Sequence, residues 1–185
     1  MSFIYYVSER KFERNQMLRE ILNYPDPRLR KVAKTVTEFD DLFKTLTRDM
    51  FETMYHSSGI GLAATQIDIH LRVVVVDVSR DRTCPLCLVN PVIEKKSGTV
   101  DSKEGCLSVP ETVEYVERAE HITFRAQDVN GENISMDAEG LLAICIQHEI
   151  DHLDGKLFVD YLSNLKQNRL KKRISKIELK ESTAN

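Results

Sequence analysis

His148 and His152 stand four residues apart, with Glu149 directly after the first, in the run Gln147-His148-Glu149-Ile150-Asp151-His152. On a helix this spacing is close to one turn, so both imidazoles face the same way and can grip one metal ion. Glu149 then points at the open coordination position. That arrangement suits hydrolysis: the metal lowers the pKa of a water molecule, and the carboxylate takes and returns its proton. The plain alternative is a helix with two surface histidines. Against it stands the rarity of a chance His-Glu-x-x-His match.

A catalytic metal takes three protein ligands and keeps one position open. No His or Cys follows His152, and Asp154 and Asp160 lie close along the helix exit as candidates. Upstream, Cys106 stands out in Lys103-Glu104-Gly105-Cys106-Leu107-Ser108, where the glycine lets the backbone approach tightly. Taken alone, a single cysteine reads as a small buried hydrophobe. Cys84 and Cys87 form Cys-Pro-Leu-Cys, but no second pair completes a tetrahedral site and no strand-to-helix context suits redox chemistry. They read as incidental loop thiols. Cys145, three residues before His148, reads as a core residue lining the site.

Gly59-Ile60-Gly61-Leu62-Ala63-Ala64 fits G-x-G-x-x-A, with Asp77 at a suggestive distance. A dinucleotide fingerprint must follow a strand and open a helix. Here a helix precedes and a strand follows, so cofactor binding is rejected. The glycines instead bring backbone close to a ligand and carry Gln66 into the site. Its carboxamide is a good neutral donor for a developing oxyanion.

These residues need a frame. The chain has 185 residues, 42% hydrophobic and 30% charged, with formal net charge −3. One α+β domain is expected, with strands around a buried helix. No apolar run reaches the ~20 residues of a membrane span. The start is charged (Glu9, Arg10, Lys11, Glu13, Arg14) and lacks the apolar stretch of a secretory signal, so the cytoplasm is the expected place. Residues 1–16 read as a polar extension, 17–162 as the catalytic domain and 163–185 as a basic C-terminal helix. Thr37-Glu38-Phe39-Asp40 suggests a capping box, with Phe39, Leu42, Phe43, Leu46, Met50 and Met54 at helical spacing behind it. Val73 to Val78 and Leu86 to Asn90 read as strands, the second stopping before Pro91. Ile122, Phe124 and Ala126 alternate with polar residues before Asn130-Gly131, a hairpin signal with a return strand near Ile134 and Met136. The motif helix runs from about Glu139 to Asp154. Its first half, Leu141 to Ile146, is apolar on all sides and reads as buried. Gly155 is placed to end it. The last helix, from near Ser163, carries a thin stripe of Leu165, Leu170, Ile174 and Ile177 among basic residues.

Three segments together resemble the signature motifs of the peptide deformylase family: Gly59-Ile60-Gly61-Leu62-Ala63-Ala64-Thr65-Gln66, Glu104-Gly105-Cys106-Leu107-Ser108 and Gln147-His148-Glu149-Ile150-Asp151-His152. The similarity runs from about Met17 to Lys172. The resemblance implies an α+β fold with β-sheets packed around the motif helix. It implies removal of the formyl group from N-formylmethionine on new polypeptides. It also implies one metal held by Cys106, His148 and His152, with Fe²⁺ expected and Zn²⁺ or Ni²⁺ possible. Glu149 would carry the proton, and the Gln66 side chain and Leu107 backbone N–H would stabilise the oxyanion. Gly61, Ile60, Leu141, Ile144 and Cys145 would bind substrate, the last four around the methionine side chain. The expected partners are formylated nascent peptides and, through the basic helix, the ribosome. A monomer and no membrane contact are expected.

Two rival readings make weaker use of the residues. A zinc peptidase would normally take a downstream His or Glu as third ligand, and the Glu-Gly-Cys-Leu-Ser segment would go unexplained. A ribosome- or nucleic-acid-binding protein with a structural metal would need a fourth ligand and have no use for Glu149.

Overall fold

The computed structural model describes residues 17–183, with the side chains of the last helix described through Ile174. The 1–16 extension and the stripe position Ile177 lie outside these described residues and side chains.

Among the described residues, seven strands form two antiparallel sheets. The larger has the order β1-β2-β3-β6-β7, built from β1 (Gly61–Ala63), β2 (Val73–Val76), β3 (Leu86–Ser97), β6 (His121–Gln127) and β7 (Asn133–Glu139). The smaller is a hairpin of β4 (Val100–Cys106) and β5 (Val109–Arg118). Four valines in β2 satisfy two packing layers at once, since β-branched side chains alternate across the sheet. Val74 and Val76 face α2 (Gly140–Leu153), while Val73 and Val75 face α1 (Asp41–His56). A third cluster joins Val109 and Val116 of β5 to Leu157, Phe158, Leu162 and Leu170. The motif helix therefore lies against the large sheet. Gln147 ties it to the end of the hairpin by bonding both the N–H and the carbonyl of Ala119, at 3.1 and 2.8 Å.

Several boundaries differ from the sequence reading. The first helix starts at Asp41, because the Asp40 carboxylate caps it by accepting from the Phe43 N–H at 2.8 Å. Phe39 stays ahead of the cap and meets Phe43 edge-on with ring centroids 5.4 Å apart. Leu42 faces solvent, off the buried stripe. Strand β2 stops at Val76 because Asp77 turns the chain, accepting from the backbone and hydroxyl of Ser79. Strand β3 continues through Pro91 to Ser97. A register shift between Val89 and Val92, with Asn90 at φ 52°, forms a bulge, and proline is tolerated there. The start of α2 is not buried all round: Leu141 is half exposed. The last helix, α3 (Asn164–Thr183), buries Leu170 and leaves Leu165 exposed.

Strands β4 and β5 had no sequence expectation. The inward positions of β4 are Ser102 and Glu104, so the hydrophobic alternation that marks a strand is inverted. Gly155 does end the motif helix region, with φ 71°, and a Cβ there would strike the Arg30 carbonyl.

Candidate active site

Helix α2 delivers His148, Glu149 and His152 to one face, and the end of β4 brings Cys106 to meet them. The Cys106 sulfur and one ring nitrogen of each histidine all lie within 4.8 Å of one another. Cys106 Sγ is 3.2 Å from His152 Nε2. Among the described residues this is the one group of three such side chains close enough to hold a metal. The alternatives fall away: Asp154 pairs with Arg72 and Asp160 with Arg30. Cys84 is exposed, and burial pushes the Cys87 thiol up to about 12.

The donor set suits a divalent transition metal. A thiolate and two imidazoles leave a fourth position open. The second nitrogen of His148 is already engaged, with Nδ1 2.8 Å from Glu104 Oε2. Such a partner fixes ring orientation and leaves the other nitrogen for the ion. Burial works against a charged His148. Hydrogen bonds with Cys106 and Glu104 outweigh it and hold its pKa well above the usual value. Burial and the neighbouring His148 charge push His152 well below. The metal-free pair thus keeps its proton on His148.

Glu149 is buried, and its Oε2 has no hydrogen-bond partner. Burial raises its pKa from 4.5 to about 7, opposed by the His148 charge. Gly61 passes directly over it. A Cβ at Gly61 would collide with Glu149 Oε1 and lie 2.7 Å from Cys145 Sγ. Glycine is required here for space, since the chain must run against the carboxylate. Gly61→Ala is therefore expected to destabilise the fold by about 1–3 kcal/mol through overpacking. Displacement of Glu149 by a fraction of an ångström to one ångström should also lower kcat by about 100-fold. Thermal melting and steady-state kinetics check both.

The 3₁₀ turn Ala64–Ile67 follows β1 and carries Gln66 inward. Its Oε1 accepts from the Ala63 N–H at 2.8 Å, which fixes the amide orientation. Its Nε2 donates to Ser108 Oγ at 3.1 Å and lies 3.6 Å from Cys106 Sγ. Leu107 occupies the tight turn between β4 and β5. A cavity of about 410 Å³ opens beside these groups. Its lining includes Ile60, Gly61, Gln66, Cys106, Leu107, Leu141, Ile144, Cys145, His148 and Glu149. Every site residue expected from the sequence except His152, which is buried behind, borders this space.

The model of the polypeptide deformylase family matches residues 18–168. The chain belongs to this family. A peptide deformylase of Hahella chejuensis is 56% identical over 158 residues, which cover 85% of this chain and 94% of the relative. The crystal structure of a peptide deformylase from Legionella pneumophila matches with TM-score 0.85 at 46% identity, covering 90% of this chain and 98% of that one. The Ehrlichia chaffeensis enzyme in complex with actinonin matches with TM-score 0.83 at 39% identity, covering 87% and 98%. The chain is thus a metal-dependent hydrolase that removes the formyl group from N-terminal formylmethionine. None of its described helices is long and apolar enough to cross a membrane.

Sequence reasoning missed the groups that support the deformylase site. Glu104 lay inside a quoted motif without a role. Asp151 likewise lay inside the helix motif without a role, while Arg118, Phe158 and Tyr161 gave no local signal, since a buried arginine defies the usual exposure of its type. Ser108, fully buried, holds the Gln66 amide.

Proposed function

We propose that Cys106, His148 and His152 hold the ion, that Glu149 carries the proton, and that Gln66 and the Leu107 N–H receive the oxyanion. The observation that carries this reading is the closeness of the three ligand atoms, within 4.8 Å, beside a buried carboxylate with one unpartnered oxygen. A divalent ion there would polarise the formyl oxygen and bring the pKa of a water molecule near neutrality. Glu149 accepts the proton of the attacking water. As the formyl oxygen gains charge, the Gln66 amide, pre-aimed by Ala63 and Ser108, donates to it. Glu149 then returns its proton to the departing nitrogen, the C–N bond breaks, and formate is released. Gly61 lets the substrate approach Glu149. Ile60, Leu141, Ile144 and Cys145 take the methionine side chain, an apolar lining suited to a flexible thioether. Hydrolysis of a formyl-Met peptide, with its N-acetyl and unformylated analogues untouched, tests the reading. Equal cleavage of the acetyl analogue would overturn the assignment of a pocket built for formyl.

The ion is Fe²⁺ in the cell on this reading, as the resemblance to the peptide deformylase family implies, and the thiolate and two imidazoles would also accept Zn²⁺ or Ni²⁺. Elemental analysis after anaerobic purification identifies it. The cavity is complete within one chain, which supports a monomer, and a substrate emerging from the ribosome supports the cytoplasm.

The basic helix α3 docks the enzyme to ribosomal RNA on the same reading. Lys166 is paired with Glu114, and Arg173 bonds the Glu111 carbonyl and the Thr112 hydroxyl, so those two brace the domain. Arg169 and Lys172 are exposed on the helix. Reversing both to Glu is expected to weaken ribosome co-sedimentation by about 10-fold and to flatten its salt dependence, as phosphate contacts release counterions. Hydrolysis of a short free peptide should stay unchanged. Undiminished sedimentation of the double variant at low salt would leave the helix a solvated charged face.

A further inference from the structure

We infer that the 3₁₀ turn Phe158–Tyr161 is the positioning element of the metal centre, acting on His148 through Tyr161, Asp151, Arg118 and Glu104. The inference rests on the reading of His148 as a ligand. The connection can be followed bond by bond. The Tyr161 hydroxyl donates to Asp151 Oδ2 at 2.9 Å. The same oxygen accepts from Arg118 Nη1 at 2.6 Å. Arg118 then grips Glu104 with two nitrogens, Nε at 2.7 Å and Nη2 at 3.0 Å. Glu104 ends the chain on His148 Nδ1 at 2.8 Å.

Burial makes this chain consequential. The Arg118 and Glu104 side chains are 5% and 4% exposed, so neither can exchange its partner for water. The Tyr161 ring covers the guanidinium, with the carbon 5.0 Å from the ring centroid. Arg118 uses a bidentate fork on Glu104 and a separate nitrogen on Asp151, which sets the plane in which Glu104 presents its oxygen to the imidazole.

The same turn acts on His148 a second time. The Phe158 ring lies nearly parallel to the imidazole, with centroids 6.1 Å apart and 27° between planes. Phe158 thus limits the tilt of the ring, while the Tyr161 chain limits its rotation and tautomer. The turn itself is held through the Asp160 side chain. Asp160 binds Arg30 through both oxygens and accepts from the Leu157 N–H at 2.9 Å. One ring contact and one chain of hydrogen bonds thus run from a single four-residue turn to one ligand.

Tyr161→Phe removes one hydroxyl and keeps the ring, while Asp151→Asn weakens the charged link. The probe is Co²⁺ alone, added to metal-free protein in competition with a chromophoric chelator, with thiolate-to-cobalt absorption reporting Cys106. Outer-shell changes typically cost ~10- to 100-fold in affinity. Asp151→Asn is expected in that range, with Tyr161→Phe weakened by about 5-fold at the remote end of the chain. Tyr115→Phe, an exposed tyrosine outside the network, should bind as wild type. Melting of the metal-free proteins is measured alongside. Lower melting temperatures with Co²⁺ affinities within twofold of wild type would mean a merely structural role and overturn the inference. If Asp151→Asn does not fold, Tyr161→Phe decides by the same criterion. A wild type without a thiolate band would instead sink the ligand reading and the inference with it.

Discussion

Glu149→Gln is expected to lower formyl-Met hydrolysis by about 1,000-fold or more, at the upper range of a lost general acid–base, with about one metal still bound per chain. In the proposed mechanism the carboxylate performs two proton transfers, and an amide can perform neither. Its shape is otherwise kept, so Gly61 still passes over it. A metal assay and single-turnover kinetics on the same sample separate the two effects. Loss of metal in the variant, with activity returning on reconstitution, would show Glu149 to be a ligand. The metal-free protein gives an independent check. Burial raises the Glu149 pKa from 4.5 to about 7, so the folded state binds that proton more tightly than the unfolded chain. The resulting stabilisation is fully present below pH 4.5 and is lost as pH rises through about 7. Relative to wild type, the metal-free Gln variant should therefore gain stability with pH, the gap approaching about 3 kcal/mol above neutrality. Urea unfolding at acid and alkaline pH measures it. A pH-independent difference would mean that Glu149 is not strained by burial.

Cys106→Ser is expected to weaken metal binding by more than about 100-fold, beyond the range of outer-shell changes, and to abolish turnover at ordinary metal concentrations. An alcohol is a far weaker ligand than a thiolate, and it does not ionise near neutral pH. The double variant Cys84→Ser with Cys87→Ser should keep full metal content, because neither residue reaches the site. Equal metal-to-protein ratios in Cys106→Ser and wild type would require another third ligand. The same thiolate makes an iron form sensitive to air, whereas a nickel form should survive it.

The chemistry of this chain was legible because it is carried by local spacing. His148, Glu149 and His152 share a helical turn, so one helix is enough to align them. Strand β6 was readable because its buried face is apolar and leaves a periodic trace, and β2 because its β-branched run is buried on both faces. The hairpin β4–β5 was not, because Ser102 and Glu104 face inward there and invert that trace. The bulge that carries β3 past Pro91 was hidden for a related reason: only the neighbouring strand decides whether a missing N–H matters. The family resemblance placed Cys106 and Gln66 in the site without showing how they are held.

The sequence by itself determined the helix that aims two histidines and a carboxylate. Only the tertiary structure decided that Arg118, 14 residues from Glu104 and 33 from Asp151, would be buried between them. A charge is stable in the interior only when its partners arrive from elsewhere in the chain, and no local pattern of residue types records that meeting.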